Sequence, residues 1–184
     1  MDLDLPQGQV LTAYDVWQLW EPDRRLELID GVVTVMAGPS IEHQRTQMRL
    51  IKLLLSALPE HLEVLAAPFD ILSADTAVQP DVMVIDPAAV VGTDPIEVCP
   101  LLVGEILSPS TALYDLNTKY KRYERAGIPS YWAVDPLAGR LIVWELRDNV
   151  YETVVDRTGD RPWTATSPFP VTVVPSALAS ASER

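Results

Sequence analysis

The chain has 184 residues, and 48% of them are hydrophobic, which suits one compact domain with a substantial core. A net charge of −12 counts against a protein that coats nucleic acid through bulk electrostatics, and a single cysteine, Cys99, excludes an internal disulfide and indicates a reducing, cytoplasmic setting. The first residues, MDLDLPQGQV, lack the features of a signal peptide, and no apolar run approaches the ~20 residues of a membrane span, so we expect no membrane partner.

The first part of the chain predicts a helix, a hairpin and a second helix. Apolar residues at helical spacing in LTAYDVWQLW indicate a helix over residues 11–20. RLELIDGVVTVMAG predicts two strands that turn at Asp30 and Gly31, because Asp-Gly is a strong hairpin signal. Ser40 is a suitable N-cap for a long helix with an apolar stripe, and Pro59 is expected to end it.

The rest of the chain is rich in strands. The apolar runs LEVLAAPFDILS, VQPDVMVID and PLLVGEILS predict three strands, separated by Pro, Asp and Gly. SPSTALYDLNTKYKRYERAG predicts a helix that ends at Gly127, and IPSYWAVDP predicts a buried strand. GRLIVWEL and NVYETVV predict a closing hairpin. The remaining residues predict one short strand near PVTVV and then a frayed end.

This order of elements defines the fold class. Helices and strands alternate, which predicts an α/β or α+β domain with a mixed central β-sheet flanked by helices. No Gly-rich phosphate loop follows a strand, so a nucleotide-binding doubly wound fold is excluded. We predict a single domain over residues 1–184, with a core at about 11–157 and a Pro-rich C-terminal tail at 158–184.

Two carboxylates interrupt neighbouring apolar strands. Asp81 enters its strand just after a proline, and Glu105 lies within the next one. Burying an unpaired charge costs roughly several kcal/mol, and a bound cation would remove that cost. Two carboxylates aimed at one point, with a backbone carbonyl, make a hard oxygen site suited to Mg²⁺ or Mn²⁺. The structural alternative is that Asp81 merely starts a strand and Glu105 points to solvent.

Lys119 is the third candidate. Asp115, Lys119 and Tyr123 are spaced i, i+4 and i+8, so they share one face of the predicted helix, which returns across the sheet from the Glu105 strand. We expect Lys119 to be half-exposed at the margin of that face and to reach the sheet. The alternatives are a surface salt bridge with Asp115 or a solvated basic face. That face would consist of Lys119, Lys121, Arg122 and Arg125.

The motifs RLELIDG, QPDVMVI and PLLVGEILSPST…D…K…Y…GIPSYWAVDP resemble the Uma2 family of endonucleases, over about residues 26–151. The resemblance implies a restriction-endonuclease-like fold with a PD-(D/E)xK site. It implies Asp81 as the aspartate of PD and Glu105 as the second acid. Leu107 occupies the usual lysine position of that motif, and the resemblance maps the lysine to Lys119 on the following helix instead.

Two further positions follow from the resemblance. Glu27 lies between Leu26 and Leu28, so it points away from these apolar neighbours, and the resemblance suggests that it faces the site as a metal ligand or orienter. The alternative is an exposed strand residue. The resemblance also places a histidine where His43 opens its helix, on one face with Gln47. The alternative for His43 is a structural role.

These residues predict a metal-dependent endonuclease that hydrolyses phosphodiester bonds in DNA. Asp81, Glu105 and the carbonyl of Ile106 would hold Mg²⁺ or Mn²⁺, and Lys119 would act on the attacking water or the transition state. We expect Lys119→Ala to abolish cleavage and leave the fold intact, because a half-exposed lysine contributes little to stability.

Other functions remain open on the sequence alone. The acidic charge and the leucine at position 107 favour a non-catalytic, nuclease-like scaffold that works as a dimeric binding or regulatory module. Carboxylate-pair hydrolysis of sugars has little support, since no aromatic-rich sugar platform is apparent. We also expect a homodimer, because the apolar fraction is high and the Val-rich stretch AAVVG falls in a predicted loop that a partner could cover.

Overall fold

Two β-sheets organise the part of the chain that a computed structural model describes, residues 10–19, 25–92 and 95–179. The strands are β1 (Arg25–Ile29), β2 (Val32–Met36), β3 (Glu63–Ala66), β4 (Asp70–Ser73), β5 (Thr76–Val78), β6 (Val82–Ile85), β7 (Leu102–Ile106), β8 (Ser130–Asp135), β9 (Arg140–Arg147), β10 (Val150–Thr158), β11 (Trp163–Ala165) and β12 (Val171–Val173). The helices are α1 (Ala13–Gln18), α2 (Ile41–Leu55), a 3₁₀ turn (Pro87–Ala89), a π-helix (Tyr114–Lys119) that continues into α3 (Tyr120–Arg125), and α4 (Pro175–Leu178).

The central sheet has six strands in the order β10-β9-β8-β7-β6-β3. β7 and β8 run parallel and the other neighbours are antiparallel, which confirms the predicted mixed sheet. Side chains along β6 point alternately to the two faces of the sheet, so this strand contributes to a hydrophobic core on each side. Val82 and Val84 pack with Leu50 of α2, whereas Met83 and Ile85 belong to the core that contains α3. Helices therefore flank the sheet on both sides.

A second, four-stranded sheet was not predicted, and it divides two of the apolar runs. Its order is β2-β1-β5-β4, and all its pairings are antiparallel. LEVLAAPFDILS splits into β3 and β4 around Ala67, whose φ of 47° turns the chain between the sheets. VQPDVMVID splits into β5 and β6 around Pro80, which has no N–H to continue a ladder. The prediction of one strand for each run is therefore wrong.

The predicted helices and hairpins of the first half are present. Thr12 and Asp15 form a capping box at α1, and the Ser40 hydroxyl accepts from the N–H of His43 at the start of α2. Asp30 and Gly31 both have positive φ, as the two-residue turn between β1 and β2 requires. α2 ends at Leu55, a few residues before the proline that was expected to end it. The predicted end of the first helix at Trp20 lies outside the described residues.

The segment after β10 contributes to the core instead of trailing from it. β11 and β12 form a two-stranded ribbon, and α4 follows. Its apolar side chains pack into the cluster that contains α2 and one face of the central sheet: Ala165, Phe169, Val171, Val173 and Leu178. β12 is the short strand predicted near PVTVV. The predicted frayed end beyond residue 179 lies outside the described residues.

Close packing of α2 on the central sheet depends on Gly104 in β7. A side chain at this position would place its Cβ 3.1 Å from Leu50 Cδ2 of α2. The absence of a side chain lets the helix that carries His43 approach the strand that carries Glu105. In the described part of the chain, no helix has the length and apolar character needed to cross a membrane.

Asp70 at the start of β4 is a buried carboxyl group with one weak partner. Its Oδ1 accepts from the N–H of Val98 at 3.2 Å, while Oδ2 is buried without a hydrogen bond. Burial raises the pKa of Asp70 to about 7. Because the folded state then binds the proton more tightly than the unfolded chain does, stability is fully present below the unfolded pKa and is lost as pH rises from about 4 to about 7.

We expect Asp70→Asn to remove this pH dependence. Between pH 5 and pH 8, the wild type should lose about 2–3 kcal/mol more unfolding free energy than the variant. Urea unfolding at the two pH values measures the difference. Asp148→Asn, at an exposed turn, is the matched control and should retain the wild-type slope. Equal slopes for the wild type and Asp70→Asn would show that Asp70 titrates normally.

Candidate active site

Two acids, Asp81 and Glu105, meet at the end of the β6–β7 pairing. The antiparallel register aligns Val82 with Gly104, which places Asp81 next to Glu105 on the neighbouring strand. The contact is reciprocal, since the N–H of Asp81 donates to Glu105 Oε2 at 3.3 Å and the N–H of Ile106 donates to Asp81 Oδ2 at 2.8 Å. Both side chains are buried. The structure thus brings together the two carboxylates that the sequence analysis singled out.

Lys119 joins the acids from the helical segment that follows β7. Its ammonium lies 2.8 Å from Glu27 Oε1, 2.9 Å from Glu105 Oε1 and 3.7 Å from Asp115 Oδ1. The i, i+4 pair with Asp115 is therefore the longest of the three contacts. Lys119 is only 1% exposed, so the expectation of a half-exposed lysine is wrong. The physical reason is that the surrounding carboxylates replace the water that a buried ammonium would otherwise need.

Glu27 reaches the site through the alternation of β1. Leu26 and Leu28 point into the core beneath α1, which directs Glu27 to the opposite face. Glu27 is fully buried, so the alternative of an exposed strand residue is wrong. Its Oε1 contacts Lys119 and accepts from the N–H of Gln79 at 3.0 Å. Its Oε2 is buried without a hydrogen-bond partner.

The lysine is carried by a π-helix, Tyr114–Lys119, where the sequence predicts a regular α-helix. Hydrogen bonds in a π-helix span one residue more than in an α-helix, and such wide turns are frequent at functional sites. This segment buries both Asp115 and Lys119. α3 follows directly and positions Tyr123, whose hydroxyl donates to Glu105 Oε1 at 2.7 Å. One oxygen of Glu105 is therefore bound by an ammonium and a phenol.

Asp81 is held by donors from three elements. Arg25 Nη1 lies 2.9 Å from Oδ1, and His43 Nε2 lies 3.0 Å from Oδ2, which also accepts from the N–H of Ile106. Gln47, one turn after His43 on α2, donates to the backbone carbonyl of Asp81 at 2.7 Å. α2 thus presents the face shared by His43 and Gln47 to this acid.

Burial and neighbouring charges shift the pKa values of Asp81 and Glu105 in opposite directions. Burial raises the pKa of Glu105 to about 8, although the ammonium of Lys119 opposes the shift. Burial acts in the same direction on Asp81, but the hydrogen bond from His43 and the charge of Arg25 hold the pKa of Asp81 well below its usual range. Burial disfavours the charge on Lys119, yet the neighbouring carboxylates raise the pKa of this ammonium above its ordinary value. Asp81 and Lys119 are therefore ionised at neutral pH.

Carboxyl groups outnumber permanent cations in this cluster. The cations are Arg25 and Lys119, and the buried carboxyl groups are Glu27, Asp81, Glu105 and Asp115. Four carboxylates against two cations leave two negative charges uncompensated when all of these groups are ionised. Burial raises the pKa of Glu105, and the charges of Asp81, Asp115 and Glu27 raise it further. A divalent cation would supply the missing charge.

The oxygen donors of the cluster also suit a hard divalent cation. Asp81 and Glu105 offer carboxylates and Ile106 a backbone carbonyl, the ligands that Mg²⁺ and Mn²⁺ prefer. The unpartnered Oε2 of Glu27 is a further carboxylate oxygen in the same cluster. No three His, Cys, Asp or Glu side chains within the described ranges form a ready-made metal cluster. Two carboxylate side chains and one backbone carbonyl can hold a cation without a third side chain of these types.

The cluster opens onto a cleft of about 250 Å³. Residues 36–40, between β2 and α2, form one wall, and residues 108–111 form the other. The second wall carries three hydroxyl groups that hydrogen-bond with one another: Ser108, Ser110 and Thr111. The cleft is therefore lined by acids, bases and hydroxyl groups, which suits a polar or charged substrate.

Some residues of the cluster had no assigned role in the sequence analysis. Arg25 lies two residues before Glu27 in RLELIDG, so strand alternation could have placed it on the same face. Asp115 and Tyr123 were recognised only as helical neighbours of Lys119. Leu107, at the usual lysine position of the motif, is buried in the hydrophobic core.

The basic clump on the helix separates into distinct roles. Lys119 is buried in the site, while Lys121 is exposed. Arg122 Nε donates to Thr76 Oγ1 at 2.8 Å, and Arg125 donates to the carboxylate of Asp30 at 2.6 Å. These two arginines connect α3 to β5 and to the turn between β1 and β2. The interpretation of the clump as a single solvated face is therefore wrong.

We expect His43→Ala to weaken any activity of this site without unfolding the protein. His43 orients Asp81, and the loss of such an orienting partner lowers metal affinity or activity by about 10- to 100-fold. The measurement is the initial rate of metal-dependent cleavage, together with metal affinity. His61→Ala is a matched control, since His61 is exposed and does not line the cleft. Equal effects of both changes would contradict a positioning role for His43.

The mixed sheet, with one acid directly before β6, a second on β7 and a lysine on the next helix, has the architecture of restriction-endonuclease-like proteins. The chain belongs to the Uma2 family, whose model is described as "Putative restriction endonuclease" and matches residues 11–179.

A solved structure has the same fold. The chain is similar to a protein of Anabaena variabilis described as "a putative nuclease belonging to DUF820", with a TM-score of 0.73 and 18% sequence identity. The match covers 91% of this chain and 97% of the other. No curated protein matches the chain.

Proposed function

We propose that this protein is a metal-dependent endonuclease that hydrolyses phosphodiester bonds in DNA. The observation that carries the proposal is the excess of buried carboxylates over cations at the base of an open cleft. A divalent cation relieves that excess, and a phosphodiester brings the negative charge that such a cation attracts. Membership of the Uma2 family supports the same chemistry.

Three groups of this chain would hold the cation. Asp81 and Glu105 provide two carboxylates from adjacent strands, and the backbone carbonyl of Ile106 is the third ligand. When bound, Mg²⁺ or Mn²⁺ would lower the pKa of a coordinated water and offset charge on the attacked phosphate. Arg25 and His43 keep the carboxylate of Asp81 ionised and oriented before any cation arrives.

Lys119 supplies the remaining positive charge. Glu27 and Glu105 fix its ammonium at 2.8 and 2.9 Å, so it needs no reorganisation when charge develops nearby. It would orient the attacking water or stabilise the transition state at the phosphate. Glu27 would act mainly as the residue that positions Lys119. Tyr123 fixes Glu105 from the opposite direction.

The substrate meets a chain with a net charge of −12, so the cation rather than the protein surface must provide most of the attraction for phosphate. Cleavage should therefore depend steeply on the divalent cation. The free, exposed thiol of Cys99 is consistent with a reducing compartment, and we place the protein in the cytoplasm.

Two measurements together test this proposal. Supercoiled plasmid should be nicked or linearised with Mg²⁺ or Mn²⁺ and remain intact with EDTA. Calorimetry with Mn²⁺ should detect a site in the wild type that Asp81→Asn removes. If Mn²⁺ does not bind and plasmid stays intact at every metal concentration, the scaffold is a binding or regulatory module instead. RNA of the same sequence, cleaved at an equal rate, would contradict the assignment of DNA as the substrate.

A further inference from the structure

β2 forms an edge of the four-stranded sheet and is unusually unprotected. Its sequence, VVTVM, contains no charged residue and no proline. Val32 is 64% exposed and Val35 is 56% exposed. Natural edge strands generally carry charges, prolines or bulges that prevent pairing with another chain. β2 has none of these features.

The hairpin register identifies the backbone groups that are free on this edge. Ile29 and Val32 flank the two-residue turn, so they form a hydrogen-bonded pair, and hydrogen-bonded pairs recur at every second residue. Val32, Thr34 and Met36 therefore direct their backbone groups to β1. Val33 and Val35 direct theirs outward. Neither has a backbone partner beyond β1 in the described part of the chain.

Within the described residues, the other edges of the two larger sheets are protected. β4 is covered by a backbone bridge to Ile96. β10 carries charged residues and a register shift between Thr153 and Val155. β3 carries Glu63. The contrast indicates that β2 is kept free of charge because it pairs with something.

We propose that β2 pairs with β2 of a second copy of this chain, antiparallel about a two-fold axis through Thr34. In this register Val33 of each copy lies opposite Val35 of the other, and each such pair exchanges two N–H···O hydrogen bonds. The pairing satisfies all the outward groups of both residues with four hydrogen bonds. Val32 then lies against Met36 of the second copy, which buries exposed apolar surface.

Charge opposes a second copy least at this edge. Two chains that each carry −12 repel one another, so they approach most readily where the contacting surface is uncharged. The neutral, self-complementary β2 meets that condition. The Val-rich loop that the sequence analysis considered for dimerisation exposes Val91 but offers no comparable row of backbone groups.

The proposed dimer has a consequence for the active site, and this step rests on the proposed nuclease function. The two four-stranded sheets become one continuous sheet, and a two-fold axis perpendicular to it puts both clefts on the same side. Glu27 is paired with Thr34, so the two copies of Glu27 lie in one row, about 15 Å apart between Cα atoms. This separation is comparable with the width of the major groove of B-DNA, about 12 Å. Both clefts could therefore act on one duplex.

Mass measurement tests the interface without any nuclease activity. Light scattering should give twice the chain mass for the wild type at micromolar concentration. Val35→Pro removes an outward N–H that the hairpin does not use, so it should give a folded monomer. Val35→Thr keeps that N–H and should remain a dimer. A monomeric wild type, or a Val35→Pro protein that is still a dimer, would overturn the proposal.

Cross-linking tests the register in a Cys99→Ser background. In the proposed dimer, Thr34 of one copy lies opposite Thr34 of the other, with about 4.5 Å between the two Cα atoms, a distance that suits a disulfide. Thr34→Cys should therefore yield a covalent dimer under mild oxidation. Val32→Cys, on the same face but about 14 Å from its counterpart, should not. Equal cross-linking of both variants, or of neither, would contradict this pairing whether or not the protein cleaves DNA.

Discussion

Lys119→Ala is expected to abolish cleavage and, in addition, to destabilise the fold. The ammonium is 1% exposed and contacts Glu27 and Glu105, so its removal leaves buried carboxylates uncompensated. Breaking a buried ion pair by removing one partner costs about 3–5 kcal/mol. The loss of a fixed charge at the transition state costs about 10²–10³-fold in rate, so no cleavage is expected in the time in which the wild type cleaves all of the plasmid. Urea unfolding and plasmid cleavage measure the two effects separately.

A double variant separates the two roles of Lys119. Lys119→Met with Glu27→Gln removes the ammonium together with one of the carboxylates that it balances, so part of the lost stability should return. Cleavage should stay absent. Lys121→Ala is the control on the exposed side of the helix and should behave like the wild type. Cleavage by the double variant, or equal loss from Lys121→Ala, would show that Lys119 only stabilises the fold.

Glu105→Gln is expected to remove most of the activity while it leaves the stability of the fold nearly unchanged. Glutamine has nearly the same volume, and its carbonyl oxygen can accept the hydrogen bonds that Lys119 and Tyr123 donate to Glu105. Burial raises the pKa of Glu105, so the charge of this group is costly in the folded state without a cation. We expect stability at pH 7 to change by about 1 kcal/mol or less. A neutral amide is a poor ligand for Mg²⁺, and the loss of several kcal/mol of metal-based stabilisation corresponds to about 10³-fold in rate.

The measurements for Glu105→Gln are urea unfolding at pH 7 and the initial rate of plasmid cleavage. Glu152→Gln, at an exposed position of β10, is the matched control and should change neither quantity. A Glu105→Gln protein that cleaves at the wild-type rate would remove Glu105 from the catalytic site. A variant that is unfolded at pH 7 would show that Glu105 is needed as an ion and not as a neutral group.

The two acids could be predicted because each one breaks a simple pattern. Asp81 follows a proline at the entry to an apolar strand, and Glu105 interrupts another. Because a buried carboxylate is costly, its presence in a strand that is predicted to be buried indicates a function. Glu27 was placed by strand alternation together with the family resemblance. These local rules suffice for a side chain whose direction is fixed by its own strand.

The complete burial of the Lys119 side chain could not be predicted from the sequence of its helix. Spacing showed which residues share a face, but the burial of that face depends on Glu27 from β1, a strand far away in the sequence. The π-helix that carries Lys119 also has no signal in local propensity. The second sheet was missed for a similar reason, because β5 and β6 lie in one apolar run and only their partners in space assign them to different sheets.

The central claim is that the buried carboxylates of this cluster hold a divalent cation, and an anomalous-scattering experiment tests it directly. Crystals of the wild type soaked in Mn²⁺ should show one strong anomalous peak within coordination distance of the carboxylates of Asp81 and Glu105 and the carbonyl of Ile106. The same soak of Glu105→Gln crystals should show no peak there. A wild-type map without a peak at these three groups, at Mn²⁺ concentrations that label other sites, would show that these groups do not hold a divalent cation.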